Sequence, residues 1–155
     1  MKPSVRYLIA ALLLASLPHT AGSGAATKSD EEIRGLEHKM NEAYAGNDLQ
    51  NYFSYYAPDF IQWLPEGRTD LDEYKRQWMA YVNNGNSIQA AEIRELQLRI
   101  DPAEDAAVAS YILSVKTKAA DGKISEQESQ ETDVWFKRDN GWKIVALHYS
   151  PRAKK

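Results

Sequence analysis

The sequence predicts an α+β domain. Three N-terminal helices pack on the concave face of a curved, mostly antiparallel sheet and form a cone. Apolar residues up to Val82 recur at three- and four-residue steps, whereas the chain from Ile88 onward reads as long extended runs broken by short turns. Helices first and strands afterwards is the order of a sheet with its helices on one side. A long antiparallel sheet twists and curves. Three short helices cannot fill its hollow side, so a pocket is expected between the layers.

The first helix starts near Asp30 and buries Ile33, Leu36, Met40, Ala43 and Tyr44. Gly46 ends it. Asp48 caps a second helix, 49–56, with Leu49, Tyr52, Phe53 and Tyr56 inward, and Pro58-Asp59 stops it. Phe60 to Leu64 is a brief strand, followed by a turn at Pro65-Glu66-Gly67. Asp70 and Glu73 form a capping box for a third helix, which buries Leu71, Tyr74, Trp78 and Val82. The strands are Ile88 to Ile100, Ala106 to Thr117, Ile124 to Lys137 and Trp142 to Ser150. In the second of these the expected packers are Val108, Tyr111, Leu113 and Val115, and Ala120-Asp121-Gly122 is the hairpin turn that follows.

Residues 1–26 read as a secretory signal: Lys2 and Arg6, an apolar run from Tyr7 to Leu17, Pro18, then small residues. Cleavage is expected after Ser23, Ala25 or Ala26, which gives a periplasmic or secreted location with no stable membrane insertion afterwards. An uncleaved anchor is the alternative, but the apolar run is short for a span. Residues 27–29 are a linker, 30–151 the domain and 152–155 a basic tail. Without Lys2 and Arg6, the 19 basic residues fall to 17 against 22 acidic ones. That net negative charge, with scattered basic residues, excludes nucleic acid as a partner. The chain has no cysteine, which excludes disulfides and thiol chemistry. Two histidines outside the signal, far apart, make no zinc constellation. No EF-hand loop, phosphate-cradling glycine loop or Gly-x-Ser-x-Gly nucleophile motif occurs, and no metal or cofactor is expected.

The stretches "EAYAGNDLQNYFSYYAPDF", "WLPEG" and "ETDVWFKRDNGWKIVALHYSP" resemble the nuclear-transport-factor-2-like (NTF2-like) superfamily, and within it the SnoaL-like and DUF4440 group. The last of them is also similar to the association domain of calcium/calmodulin-dependent kinase II. The resemblance covers roughly residues 30–151 and implies the cone fold and a homodimer through the convex sheet face. It fixes no single activity, because this superfold hosts isomerases, hydrolases, cyclases, dehydratases, transport factors and assembly domains.

The final ribbon holds the candidate site. A two-residue turn at Asn140-Gly141 sets Asp133 opposite His148. A three-residue loop, 139–141, pairs Arg138 with Trp142 and puts Asp133 on one face with Trp135, Val145, Leu147 and Tyr149. The second is preferred, because glycine suits the left-handed position at the loop's end. Thr132, Val134, Phe136, Ile144, Ala146 and His148 then take the other face, which makes His148 an interface or structural residue. His38, on the polar side of the first helix, is expected in solvent.

An inward Asp133 amid apolar walls should have a raised pKa, and Tyr149 can donate a hydrogen bond to it or to a ligand. These two are the candidate catalytic residues. Ketosteroid isomerase, of the same superfold, equips an apolar cone with similar groups. Tyr44, Trp63, Tyr74, Trp78, Leu113, Trp135 and Leu147 are the candidate ligand-binding residues, with ordinary core packing as the competing role for the aromatics. Pairing with Lys116, or solvation at the sheet rim, is the competing role for Asp133. In the resembling kinase domain the positions matching Asp133 and Tyr149 are arginines that look into the pocket. Their absence here argues against recognition of a small carboxylate by that pair. The run from Ser125 to Glu131 reads as a solvated strand edge.

The functional expectation is an exported protein that binds a small apolar or semipolar molecule in its cone, with cofactor-free isomerase, lyase or cyclase-type proton transfer as its possible chemistry. The alternatives are a non-catalytic carrier with the same pocket and an oligomerisation domain working through its convex face.

Overall fold

The computed structural model describes residues 27–152. The expected signal segment and the last three residues of the basic tail lie outside the described residues. Three helices come first: α1 (Lys28–Ala45), α2 (Leu49–Ser54) and, after two strands, α3 (Leu71–Asn83). The strands are β1 (Tyr56–Leu64), β2 (Gly67–Asp70), β3 (Ser87–Ile100), β4 (Ala106–Lys118), β5 (Ile124–Arg138) and β6 (Gly141–Pro151). They form one sheet in the order β2-β1-β6-β5-β4-β3. Only the β1–β6 pair is parallel.

The helix starts follow local capping chemistry. α1 begins at Lys28, two residues before the expected start and inside the expected linker, capped by Thr27, whose hydroxyl accepts from the Asp30 N–H. Asp48 accepts from the Asn51 N–H, and Asp70 from the Glu73 N–H. The capping box at Asp70 is only half made, since Glu73 turns to Arg76 and Gln77 instead of reaching back. Asn47 stands in the left-handed region and clamps the α1–α2 corner to β3. Its side chain donates to the Ile88 carbonyl and accepts from the Ile88 N–H, each at 2.8 Å.

Register shifts interrupt the β3–β4, β5–β6 and β1–β6 pairings. Such irregularities bend strands and increase twist, giving the sheet the curvature that holds α1 against β3 and α3 against β1. The core runs along the concave side: Ile33 and Met40 from α1, Phe60 from β1, Leu98 from β3, Trp135 from β5 and Ile144 from β6. Inward residues of β4 are Ala107, Ala109, Tyr111 and Leu113. Val108, an expected packer, lies on the outer face and is exposed. Its even position gives it the opposite side of the pleat from Tyr111. The second helix is shorter than expected because Tyr56 already begins β1, which also extends four residues ahead of the expected strand.

Candidate functional site

The last ribbon decides what the cone contains. Arg138 pairs with Gly141, so the connection is two residues, Asp139-Asn140, one residue shorter than the preferred loop and one earlier than its rival. Gly141 takes φ +98°, open to glycine at little cost. The register then slips once, between Val134 and Trp135. Trp135 therefore opposes Ile144, while Asp133 opposes Leu147 and Glu131 opposes Tyr149. The slip returns Asp133 to the partner expected from the sequence, although the turn is different. It also corrects one assignment: Ile144 is fully buried with Trp135 on the inner side, and Val145 is only partly covered. His148 is exposed on the outer face, and His38 is exposed on α1.

Three carboxyls meet beneath the helices. Asp133 is fully buried, and its Oδ2 accepts from the Tyr111 hydroxyl at 2.8 Å. The same hydroxyl lies 3.4 Å from Glu131 Oε2, and Ser129 donates to Glu131 Oε1 at 3.2 Å. Glu37, also fully buried, accepts from the indole N–H of Trp135 at 2.7 Å, which ties α1 to β5. Asp133 Oδ1 and Glu37 Oε2 are buried and have no hydrogen-bond partner while both acids are ionised. Lys116, the competing partner for Asp133, pairs with Glu126 on the other face.

Loss of water is the main cause of the trio's titration. Burial raises Asp133 to about 7, opposed by the hydrogen bonds it receives from Tyr111 and, once that acid carries a proton, from Glu37. Burial, reinforced by the charge of Asp133, raises Glu131 to about 8. The same two causes, in the same order, hold Glu37 well above the ordinary carboxylate range. The charge that forms at Asp133 opposes ionisation of both Glu131 and Glu37. The titration belongs to the group rather than to one residue.

Above the acids lies a cavity of about 350 Å³. α1 supplies Tyr44, α3 supplies Tyr74, Trp78 and Tyr81, and the sheet supplies Gln62, Leu113, Leu147, Tyr149 and Glu131. The Tyr44 ring meets Trp78 edge-on, centroids 5.0 Å apart. Behind this wall the Tyr56 hydroxyl donates to Tyr52 at 2.5 Å, and Tyr52 and Tyr74 hydroxyls are 2.8 Å apart. Burial raises the pKa of all three phenols and keeps them neutral. Tyr149 shares its hydroxyl with the Gln127 amide, and burial together with the nearby Glu131 raises its pKa.

The structure brings Tyr44, Tyr74, Trp78, Leu113, Leu147 and Tyr149 to the cavity wall. Three expected site residues stand elsewhere. Trp63 is 51% exposed on the outer side of β1, because the inward positions of that strand are Phe60, Gln62 and Leu64. Trp135 is core, with its one donor spent on Glu37. Asp133 sits one layer below the cavity surface, where Tyr111 covers it. The carboxyl that faces the cavity is Glu131.

The sequence places Glu131 in solvent at a strand edge, but β5 lies inside the sheet, between β4 and β6. The pleat already contains the signal, for Glu131 is two residues from Asp133 and must share its face. Glu126 and Glu128 do point outward, where Glu128 pairs with Arg94 and Arg152. Glu37 is also readable in hindsight: four residues after Ile33 and three before Met40, it falls on the apolar stripe of α1. Among the described residues, no cluster of three or more His, Cys, Asp or Glu side chains is arranged to hold a metal ion.

Comparison with known proteins agrees with this architecture. The family model of the calcium/calmodulin dependent protein kinase II association domain matches residues 29–153. The calcium/calmodulin-dependent protein kinase type II alpha chain of Drosophila melanogaster is 28% identical over 127 residues, which is 80% of this chain and 24% of that protein. The chain thus spans about a quarter of the length of that curated relative. The CamKII hub homology domain of Chlamydamonas reinhardtii superposes with a TM-score of 0.67 at 21% identity, covering 82% of this chain and all (100%) of the other. An NTF2-like protein from Cytophaga hutchinsonii gives 0.70 at 17% identity, covering 81% and 100%. These structural likenesses establish the NTF2-like fold, and the chain belongs to the calcium/calmodulin dependent protein kinase II association domain family.

Proposed function

We propose that this chain is an exported, self-associating domain that holds a small molecule in its cone. The observation that carries this reading is an open aromatic cavity of about 350 Å³ with a single carboxyl, Glu131, at its floor. That volume falls within the usual range of small-molecule sites (~300–1,000 Å³). Export rests on the signal pattern of residues 1–26.

Self-association is supported by the family and by the outer sheet face, where Val108 and Phe136 are 37% and 39% exposed. Exposed apolar side chains grouped on one face mark an interaction surface.

Proton transfer is the second reading. A carboxyl titrating near neutral pH can both take and give a proton, and Glu131 at about 8 meets that condition at the cavity surface. Asp133 tunes it from below, a positioning role and not one of direct contact.

Native mass spectrometry of the exported protein tests the main reading. Even-numbered assemblies carrying one small molecule per chain, released on denaturation, would support it. Monomers without ligand, and no thermal shift with amines, alcohols or acids of suitable size, would overturn it.

A further inference from the structure

The cavity lining has an uneven chemistry. Its aromatic walls, Tyr44, Tyr74, Trp78 and Tyr81, offer ring faces and edges. Its one acidic group is the Glu131 carboxyl, with Asp133 and Glu37 stacked behind it. Among the described lining residues there is no lysine, arginine or histidine. Gln62 adds an independent observation: only 3% exposed, it lines the cavity with its Oε1 lacking any hydrogen-bond partner. A buried acceptor left unpaired is costly unless a donor reaches it. Wall and floor therefore ask for the same thing, a ligand that brings N–H donors and positive charge.

We propose that the cavity takes a small organic cation, a primary or secondary ammonium with an apolar body. Its nitrogen lies between Glu131 and Gln62, and its hydrocarbon part lies against Tyr44, Tyr74 and Trp78. This rests on the reading of the cone as a ligand site and names the class of ligand. A turn of the Gln62 amide brings its unpaired, buried oxygen to the ammonium, the ionised Glu131 pairs with the charge, and aromatic faces attract cations at short range. A carboxylate finds no lysine, arginine or histidine among the described lining residues and meets the Glu131 carboxyl instead.

Binding is linked to proton release. In the empty cavity Glu131 keeps its proton up to about pH 8. An ammonium beside it favours the ionised form, so the proton leaves to buffer as the cation enters. The groups around Glu131 are Asp133, Tyr111 and Ser129 below and beside it and Tyr149 across the ladder, with Glu37 behind. Of the titratable ones, the phenols are pushed to higher pKa by burial, so the release is assigned to the carboxyls.

The test is isothermal titration calorimetry of the full chain at pH 8 with phenethylammonium, 2-phenylethanol and phenylacetate, which share a ring and differ in charge. Phenethylammonium should bind at least about tenfold tighter than either, with a heat that changes with buffer in the sense of proton release. Glu131→Gln should abolish the preference and the proton release together. Gln62→Leu, which leaves the acids in place, should weaken the ammonium several-fold and leave the alcohol unchanged. Equal or tighter binding of the alcohol or the acid would overturn the cation assignment while leaving a ligand site. Failure of all three at millimolar concentration would overturn both.

Discussion

Replacing Asp133 with asparagine should change how stability depends on pH. Asp133 is fully buried and titrates at about 7 instead of the usual 3.8. It holds its proton more tightly folded than unfolded, so the native state carries the extra proton and stability falls as pH rises. Its stabilising contribution is whole below pH 3.8 and is lost by the time pH passes about 7. A rise of about three pKa units corresponds to about 4 kcal/mol, at about 1.4 kcal/mol per unit. An asparagine side chain at this position would keep the shape and an oxygen for the Tyr111 hydroxyl but could not ionise. Urea unfolding of both proteins from pH 4 to 8 measures the difference, and the surface acids cancel in it. Asp133→Asn should gain up to about 4 kcal/mol on the wild type between those limits, less what Glu131 and Glu37 lose by ionising earlier without the Asp133 charge, with most of the change before pH 7. Parallel stability curves, or a wild type that grows more stable from pH 5 to 7 relative to the variant, would refute a buried, desolvated acid at this position.

Other consequences follow from the same geometry. Trp135→Phe removes the indole donor to the buried Glu37 carboxyl and should cost about 1–3 kcal/mol in chemical denaturation; adding Glu37→Leu should recover part of the loss. Trp63→Ala should leave phenethylammonium affinity unchanged in calorimetry, whereas Trp78→Ala, which opens the wall, should lower it about tenfold or more. Placing aspartate at both Val108 and Phe136 should turn dimers into folded monomers in light scattering with unaltered circular dichroism; persistent dimers would move the interface off this face.

Much of the fold is legible in the chain because its signals are local. Helical spacing from Ile33 to Tyr44, an aspartate before each of the two shorter helices and glycines at the turns specify elements without long-range knowledge. The parallel pairing of β1 with β6 is not local and is not readable from the chain, whereas β2 is a local hairpin partner of β1 whose four residues, GRTD, carry no apolar alternation to mark a strand. The final ribbon shows both sides. Its face assignment comes from period-two alternation, which holds for Asp133, yet the turn is shorter than its glycine suggests, and a single register slip between Val134 and Trp135 restores the partner. A slip of that kind depends on how Trp135 packs under α1 and Ile144 against the start of β1, which spacing does not encode. Glu131 and Glu37 escape the sequence reading for another reason. Acidic residues are rarely buried, and that expectation outweighs the pleat and the helical stripe that place them inward. Trp63 fails in the opposite direction: a large aromatic on a strand is expected inside, and the alternation of β1 sends it out.

The group on which most depends is one carboxyl at the cavity floor that stays protonated at neutral pH. Carbon-13 NMR of the side-chain carboxyls, titrated from pH 3 to 10 and assigned through Glu131→Gln, reads that state directly. Glu131 should titrate at about 8, after Asp133, and shift downward when phenethylammonium is added. A Glu131 midpoint in the ordinary range near 4.5, unmoved by the amine, would contradict it.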